Sequence, residues 1–200
     1  TTNLRAPIRP LISISDASEF GGSAAEASRF IAAKDKKRML FLSQIIPLKG
    51  LERLFHVISD IGVELFSEWE FLIAGYGDEL YIDSLKALVV QLNLSSMIRF
   101  VGTKIGTQKL NIYDNSDAFI LPTFSENYGI VVAEALARGV PVLTTKGTPW
   151  VELNELQCGL WVDNSNEGLK YGMLKILEHS SSELREMGQN GRTLVENKYL

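Results

Sequence analysis

Residues 117–145 read DAFILPTFSENYGIVVAEALARGVPVLTT. Two short apolar runs, 117–122 and 140–145, flank a nearly continuous apolar segment that Gly129 opens. The flanking runs have the length of buried strands, and the middle segment has the composition of a largely buried helix. This order of strand, helix and strand predicts one unit of a parallel sheet with a helix packed against it.

One carboxylate, Glu134, interrupts the apolar surface of this predicted helix. A carboxylate among such neighbours is costly to desolvate unless a partner compensates it. Arg138 follows at the spacing of an in-helix ion pair, but such a pair contributes only about 0.2–0.5 kcal/mol. It also leaves Glu126 and the helix start at Gly129 unexplained. A structural pair with Arg138 and a role in binding a ligand therefore both stay open.

The same alternation continues along the chain from residue 39. The predicted strands are 39–43, 70–75, 97–102, 117–122, 140–145 and 159–163. The predicted helices are 49–61, 78–91, 108–115, the one opened by Gly129, 167–179 and 182–197. Continuous apolar strands alternating with helices predict an α/β fold, a Rossmann-like parallel sheet of about six strands with helices on both faces.

The first 38 residues are predicted to form a separate leading segment before a domain that spans 39–200. The run PIRPLISIS is typical of an edge strand, because Pro7 and Pro10 each lack an amide hydrogen. The run SAAEASRFIAA predicts a helix, and the cluster Lys34 to Arg38 predicts a solvated connector. This segment carries no recognisable chemistry.

Composition excludes several classes of protein. Hydrophobic residues make up 46% and charged residues 22%, and the net charge is -4, which argues against a nucleic-acid partner. The single cysteine, Cys158, rules out an internal disulfide and favours a reducing compartment. His56 and His179 stand far apart without a second ligand nearby, so no metal site is expected. No run is long enough to span a membrane, and a cytoplasmic location is expected.

Ligands of open parallel sheets bind outside the carboxyl ends of the strands. Several loops at that edge carry suggestive residues. Lys49 opens a helix, where an ammonium and backbone amides could meet an anion, although it could equally be an ordinary surface lysine. Glu126 stands before the helix start at Gly129, where it could merely stabilise the helix terminus. The further loops are 75–79, 102–103 and 147–149.

These residues resemble a known family, the C-terminal half of GT-B glycosyltransferases of the family 4 type. The members of that group are retaining enzymes that use nucleotide-sugar donors. The resemblance extends from about residue 39 to 163, and its most specific feature is the pair of glutamates in SENYGIVVAEA. The other matching runs are FLSQIIPLKG, FLIAGYGDE, IRFVG, CGLWV and the remainder of 117–145. A weaker match, KGTPW at 146–150, is similar to members that build bacterial surface polysaccharides.

The resemblance implies a role for each matching position. Glu126 and Lys49 are the implied catalytic residues: Glu126 faces the donor sugar and its transition state, and Lys49 neutralises the departing diphosphate. Glu134 accepts hydrogen bonds from the ribose hydroxyls. Backbone amides are implied to bind the sugar and diphosphate, and they belong to Asn127, Tyr128, Gly129 and Ile130. The loop at Gly102 and Thr103 is implied to hold the base. The group needs neither a cofactor nor a divalent metal at the leaving group.

One implied contact departs from the family pattern. The family usually has an arginine five residues before the lysine, and this chain has Gln44 there. An amide donates a hydrogen bond to a diphosphate but does not offset its charge. Lys104 or Lys146 could substitute for the arginine, the donor site could be adapted, or the activity could be reduced.

The resemblance also implies an acceptor-binding N-terminal half outside these 200 residues. The expected partners are a nucleotide-sugar and, through that half, a glycan or lipid-linked acceptor, with peripheral membrane association of the full-length protein. The fragment is expected to be inactive alone. Two alternatives stay open, namely a GT-B-fold sugar-nucleotide epimerase or phosphorylase, and a non-catalytic interaction domain, which Gln44 mildly favours.

Overall fold

The computed structural model describes residues 36–198. Six strands form one sheet in the order β3-β2-β1-β4-β5-β6, and every neighbouring pair is parallel. The strands are β1 Lys37–Leu42, β2 Trp69–Ala74, β3 Ile98–Gly102, β4 Ala118–Leu121, β5 Val142–Thr145 and β6 Gly159–Val162. The predicted Rossmann-like α/β fold is confirmed.

All six predicted helices are present, and they cover both faces of the sheet. The helices are α1 Leu51–Ile61, α2 Glu79–Gln91, α3 Gly106–Asp114, α4 Ile130–Ala137, α5 Glu152–Glu155, α6 Asn166–Glu178 and α7 Ser181–Lys198. The short helix α5 was not predicted. Helix α1 packs on α2 and α6, whereas α4 packs on α7, so the helices form two groups.

Helix α1 begins two residues later than the sequence pattern predicts. Residues Pro47–Lys49 form a 3-10 turn, and Gly50 then adopts a left-handed conformation with φ 75° before α1 starts. A side chain rarely tolerates that conformation, so glycine is suited to the position. The turn bends the chain over the end of β1 and thereby orients Lys49.

The first strand starts inside the predicted connector. β1 begins at Lys37, and Arg38 is buried and pairs with Glu70 on the neighbouring strand at 2.5 Å. This pairing with β2 draws the end of the basic cluster into the sheet. The predicted edge strand and helix before it lie outside the described residues.

The core explains why the strands read as continuous apolar runs. Met39, Leu40 and Phe41 in β1, and Phe119 and Ile120 in β4, are fully buried. Strands covered by helices on both faces have no solvated side, so they do not alternate. The carboxyl ends of these strands therefore form the part of the sheet where polar loops converge.

Candidate functional site

The loops after β1 and β4 meet at the carboxyl edge of the sheet and bring two predicted residues together. The Lys49 ammonium forms an ion pair with the Glu126 carboxylate, across 77 residues of sequence. The Leu48 carbonyl accepts hydrogen bonds from the Phe124 amide at 2.9 Å and from Thr123 Oγ1 at 3.1 Å. The ion pair is therefore supported by backbone contacts between the two loops.

Burial decides between the two interpretations of Lys49. Lys49 is only 9% exposed, so it is not an ordinary surface lysine. The side chain of Glu126 is 21% exposed, and its carboxylate contacts Lys49. Gly129, which precedes α4, provides no side-chain cap, and the Glu126 carboxylate bonds to Lys49 beside this terminus, where a negative charge is also favourable. The ion pair of Lys49 and Glu126 is therefore mostly buried but still accessible to solvent.

Gly129 sets the position of the α4 N-terminus next to this pair. It adopts a left-handed conformation with φ 73°, and an added Cβ would lie 3.3 Å from Cγ of Glu126. The first amides of a helix lack partners within the helix and attract anions. Asn127 and Ile130, on either side of Gly129, are exposed, so a ligand can approach this terminus.

Trp150 packs against the segment that precedes α4. It is buried, and its indole Nε1 donates a 2.6 Å hydrogen bond to the Tyr128 carbonyl. The rings of Tyr128 and Trp150 also pack together, with centroids 5.7 Å apart. The sequence singled out KGTPW as a family match but did not predict this support, because the contact spans 22 residues.

Glu134 has two partners that the sequence did not identify. Its Oε1 accepts from Lys109 Nζ at 2.6 Å, and its Oε2 accepts from the Tyr113 hydroxyl at 3.1 Å. Both partners come from α3, four residues apart on one face. Their spacing could have indicated a shared face, but no pattern in the sequence shows that α3 lies beside α4.

The proposed structural pair of Glu134 with Arg138 is wrong. Arg138 instead pairs with Asp114 at the end of α3, where its Nε donates to Oδ1 at 2.6 Å. The expected burial of α4 is only partly correct, because one face is buried and the Glu134 side chain remains 24% exposed. Glu134 is thus neither isolated in the core nor paired within its own helix.

Burial fixes the protonation of Tyr113. The ring is 1% exposed, and desolvation together with the neighbouring Glu134 raises the pKa of its hydroxyl above the usual range. The hydroxyl therefore keeps its proton and acts as a hydrogen-bond donor to Glu134. Lys109 and Tyr113 leave part of the carboxylate available, because an ionised carboxylate has about four acceptor positions.

The loops after β1, β2 and β3 meet at the same edge. Gly75 donates its amide to the Gly102 carbonyl at 3.0 Å, and Ile45 forms a bridge with Gly77. Gly102, Thr103 and Gln44 are all exposed there. Gln44 follows β1, in the same loop as Lys49, whereas Gly102 and Thr103 are at the end of β3. The structure brings Lys49 and Glu126 into contact, and the other predicted residues lie on the same edge of the sheet without joining that ion pair.

The two lysines considered as substitutes for the family arginine have other contacts. Lys146 Nζ lies 2.5 Å from Asp163 Oδ1 and 5.7 Å from the Trp161 ring centroid. Lys104, after β3, is half-buried.

Within residues 36–198, no helix is long and apolar enough to cross a membrane, and no cluster of three potential metal ligands is present.

Comparison with known proteins gives one matching family model. The model for glycosyl transferases group 1 matches residues 24–194. Among curated relatives, the uncharacterized glycosyltransferase MJ1607 of Methanocaldococcus jannaschii is 30% identical over 145 residues, 72% of this chain and 36% of its own length. The capsular polysaccharide biosynthesis glycosyltransferase CapM of Staphylococcus aureus is 26% identical over 160 residues, 80% of this chain and 41% of its own. The chain thus spans well under half of either relative.

Solved structures share the fold. The sucrose-phosphate synthase of Thermosynechococcus elongatus superposes with a TM-score of 0.74 at 24% identity, over 88% of this chain and 44% of that protein. Anabaena HepE, solved in complex with UDP and glucose, gives a TM-score of 0.72 at 16% identity, over 89% and 49%. These likenesses support the same architecture. The match of the family model over residues 24–194 assigns the chain to the group 1 family of glycosyl transferases.

Proposed function

We propose that this chain is the C-terminal, donor-binding domain of a retaining GT-B glycosyltransferase of the family 4 type. The full-length enzyme would move a sugar from a nucleotide-sugar to a glycan or lipid-linked acceptor. The observation that carries this proposal is the ion pair of Lys49 with Glu126 at the N-terminus of α4. Glu134 lies further along the same helix and provides a second polar group on that edge.

Glu134 is the proposed ribose acceptor. Lys109 and Tyr113 occupy two of its about four acceptor positions, which leaves two for the two ribose hydroxyls. The same contacts hold the carboxylate in one orientation, so little entropy remains to be lost when a nucleotide binds. The base would lie against the exposed loop at Gly102 and Thr103.

The diphosphate would bind where a cation and a helix N-terminus coincide. Its oxygens would accept hydrogen bonds from backbone amides between Asn127 and Ile130, and its charge would draw Lys49 away from Glu126. Lys49 would then stabilise the charge that develops on the leaving diphosphate. Glu126, released from the ion pair, would face the donor sugar and its transition state. No cofactor or metal takes part in these steps.

Two further features of the function are also proposals. The names of relatives such as CapM support a role in making surface polysaccharide, and HepE, which binds UDP and glucose, supports a nucleotide-sugar as donor. The acceptor would bind through a domain outside this chain. We place the full-length enzyme in the cytoplasm and in peripheral contact with the membrane where a lipid-linked acceptor resides.

Calorimetric titration of the 200-residue chain tests the donor site. We expect one of uridine, guanosine and adenosine diphosphate to bind, because the chain carries the groups for both ribose and diphosphate. Sugar transfer by this chain alone is expected to be negligible, since the acceptor would bind elsewhere. If none of the three diphosphates binds, the proposal is wrong.

A non-catalytic interaction domain is the second candidate, and Gln44 is the observation that favours it. Gln44 is exposed at the site edge and leaves Lys49 without the neighbouring cation that the family usually has. In the full-length enzyme, Gln44→Arg is expected to raise the transfer rate about tenfold, because a second cation stabilises the departing diphosphate. The measurement is turnover of the nucleotide-sugar. A full-length protein that is inactive both before and after this substitution would favour the interaction domain.

A further inference from the structure

A buried arginine, Arg53, lies close to Lys49, and the proposed function gives it no role. Arg53 lies in the first turn of α1, one helical turn after Lys49, and is only 8% exposed. Its hydrogen bonds go to a backbone carbonyl and a side-chain amide, and burial lowers the pKa of its guanidinium. Its Nε is buried without a hydrogen-bond partner among the described residues. Such a desolvated charge is costly, so its contacts require an explanation.

The contacts of Arg53 converge on the loop that carries Glu126. Its Nη2 donates to the Pro122 carbonyl at 2.7 Å, and its Cζ lies 4.0 Å from the centroid of the Phe124 ring. Its Nη1 donates to Asn164 Oδ1 at 2.9 Å, and Asn164 Nδ2 in turn donates to the Phe124 carbonyl at 2.7 Å. We call these four residues, Arg53, Pro122, Phe124 and Asn164, the Arg53 clamp.

We infer that Arg53 is a positioning residue, which holds the loop at 122–126 so that Glu126 faces the donor sugar. This inference rests on the proposed function, because the role of Glu126 does. Within the clamp, Arg53 ties the start of α1 to the loop after β4 and to the loop after β6. Lys49 and Arg53 lie four residues apart, and each contacts the loop at 122–126: Lys49 through Glu126 and Arg53 through Pro122.

The Lys49–Glu126 ion pair and the Arg53 clamp respond differently when a donor binds. In the proposed function the diphosphate draws Lys49 away from Glu126, so the ion pair no longer restrains the loop. Arg53 is buried under Phe124 and bonded to Pro122, so a diphosphate does not displace it. The clamp thus keeps Glu126 in place at the stage when the sugar reacts. This explains why a planar, multidentate cation occupies a position where an apolar side chain would pack at lower desolvation cost.

Three variants of the 200-residue chain test the inference. Arg53→Met keeps an unbranched side chain that fills the space of the arginine stem but removes the guanidinium donors, and Arg53→Lys keeps the charge on an ammonium without the planar fork. Arg99→Met is the matched control, because the side chain of Arg99 is 55% exposed and pairs with Glu70 on the sheet. Each variant is compared with the unchanged chain by amide hydrogen exchange, which reports local opening segment by segment.

Hydrogen exchange tests the clamp without any ligand. We expect Arg53→Met to speed exchange at 123–129 at least tenfold, Arg53→Lys to speed it less, and Arg99→Met to leave it unchanged. Exchange in β1 and β5 should stay within twofold in all three. The inference is wrong if Arg53→Met leaves 123–129 as protected as before, or if protection falls equally throughout the sheet.

Ligand titration then tests the positioning role. Using whichever nucleoside diphosphate binds the unchanged chain, we expect Arg53→Met to raise its Kd by a smaller factor than it raises the Kd of the matching nucleotide-sugar, because part of the diphosphate contact lies outside the loop at 122–126. The additional affinity gained from the sugar, measured with the matching nucleotide-sugar, should be lost and partly restored by Arg53→Lys. A sugar contribution that survives Arg53→Met would overturn the inference. Failure of the unchanged chain to bind any diphosphate would count against the proposed function instead, and the exchange result would still judge the clamp.

Discussion

Glu134→Gln is expected to raise the Kd of the bound nucleoside diphosphate by about tenfold to a hundredfold. The carboxylate would accept hydrogen bonds from the ribose hydroxyls, and the loss of one hydrogen bond to a charged group costs about 1.5–3 kcal/mol. Glutamine has nearly the same shape, so packing around α4 is preserved. The substitution also removes the ion pair that Lys109 makes at 2.6 Å. Calorimetry with the unchanged chain and the variant gives the comparison.

Deoxyribose analogues separate the ribose contact from any loss of stability. The 2′-deoxy and 3′-deoxy diphosphates should bind the unchanged chain more weakly than the ribonucleotide does, and Glu134→Gln should abolish this difference. Asp114→Asn is the control, because Asp114 pairs with Arg138 and not with Glu134. It should leave the Kd unchanged. Equal losses from the deoxy analogues in the unchanged chain and in Glu134→Gln would contradict the ribose role.

Gly50→Ala is expected to destabilise the domain by about 3 kcal/mol or more. The left-handed conformation at φ 75° costs a side chain about 1–2 kcal/mol. The added Cβ would also lie 2.1 Å from the Pro122 carbonyl oxygen, so one of the two loops must move. A loss of this size lowers the melting temperature of a domain of this length by roughly 6–12 °C. Thermal unfolding followed by circular dichroism measures it.

Gly106→Ala provides the matched control for the clash. Gly106 also has a positive φ, 50°, but an added Cβ there would meet nothing within 4 Å. It should cost only about 1–2 kcal/mol from the backbone conformation. The difference between the two alanine variants therefore isolates the contact of the loops after β1 and β4. Equal destabilisation by both variants would mean that this contact is not tight.

The strands of the parallel sheet and their bounds could be predicted from local patterns. Each strand is an apolar run of the length that a buried parallel strand needs, and each lies within two residues of its predicted bounds at either end. The short helix at Glu152–Glu155 and the turn before Gly50 were missed, because single turns leave no periodic signal. The candidate site was predicted as an edge of the sheet, since parallel strands carry their carboxyl ends to one side.

Which charged side chains contact each other within the site could not be predicted in the same way. Local spacing made Arg138 one candidate partner for Glu134, yet Arg138 contacts Asp114 because α3 lies beside α4 in the folded chain. Likewise, the sequence did not distinguish Lys49 from a surface lysine or Arg53 from a solvated one. Burial of both follows from the turn at Pro47–Lys49 and from the loop after β4 that covers them.

The sequence by itself determined the order of strands and helices, the edge that carries the polar loops, and the glycines at which the chain turns. These depend on apolar periodicity and on backbone conformation, which neighbouring residues specify. Only the tertiary structure decided which charges meet: Lys49 with Glu126, Lys109 with Glu134, and Arg53 with the loop at 122–124. These contacts join residues 25 to 77 positions apart. Their geometry is set by how helices and loops pack on the sheet, and no local pattern encodes that packing.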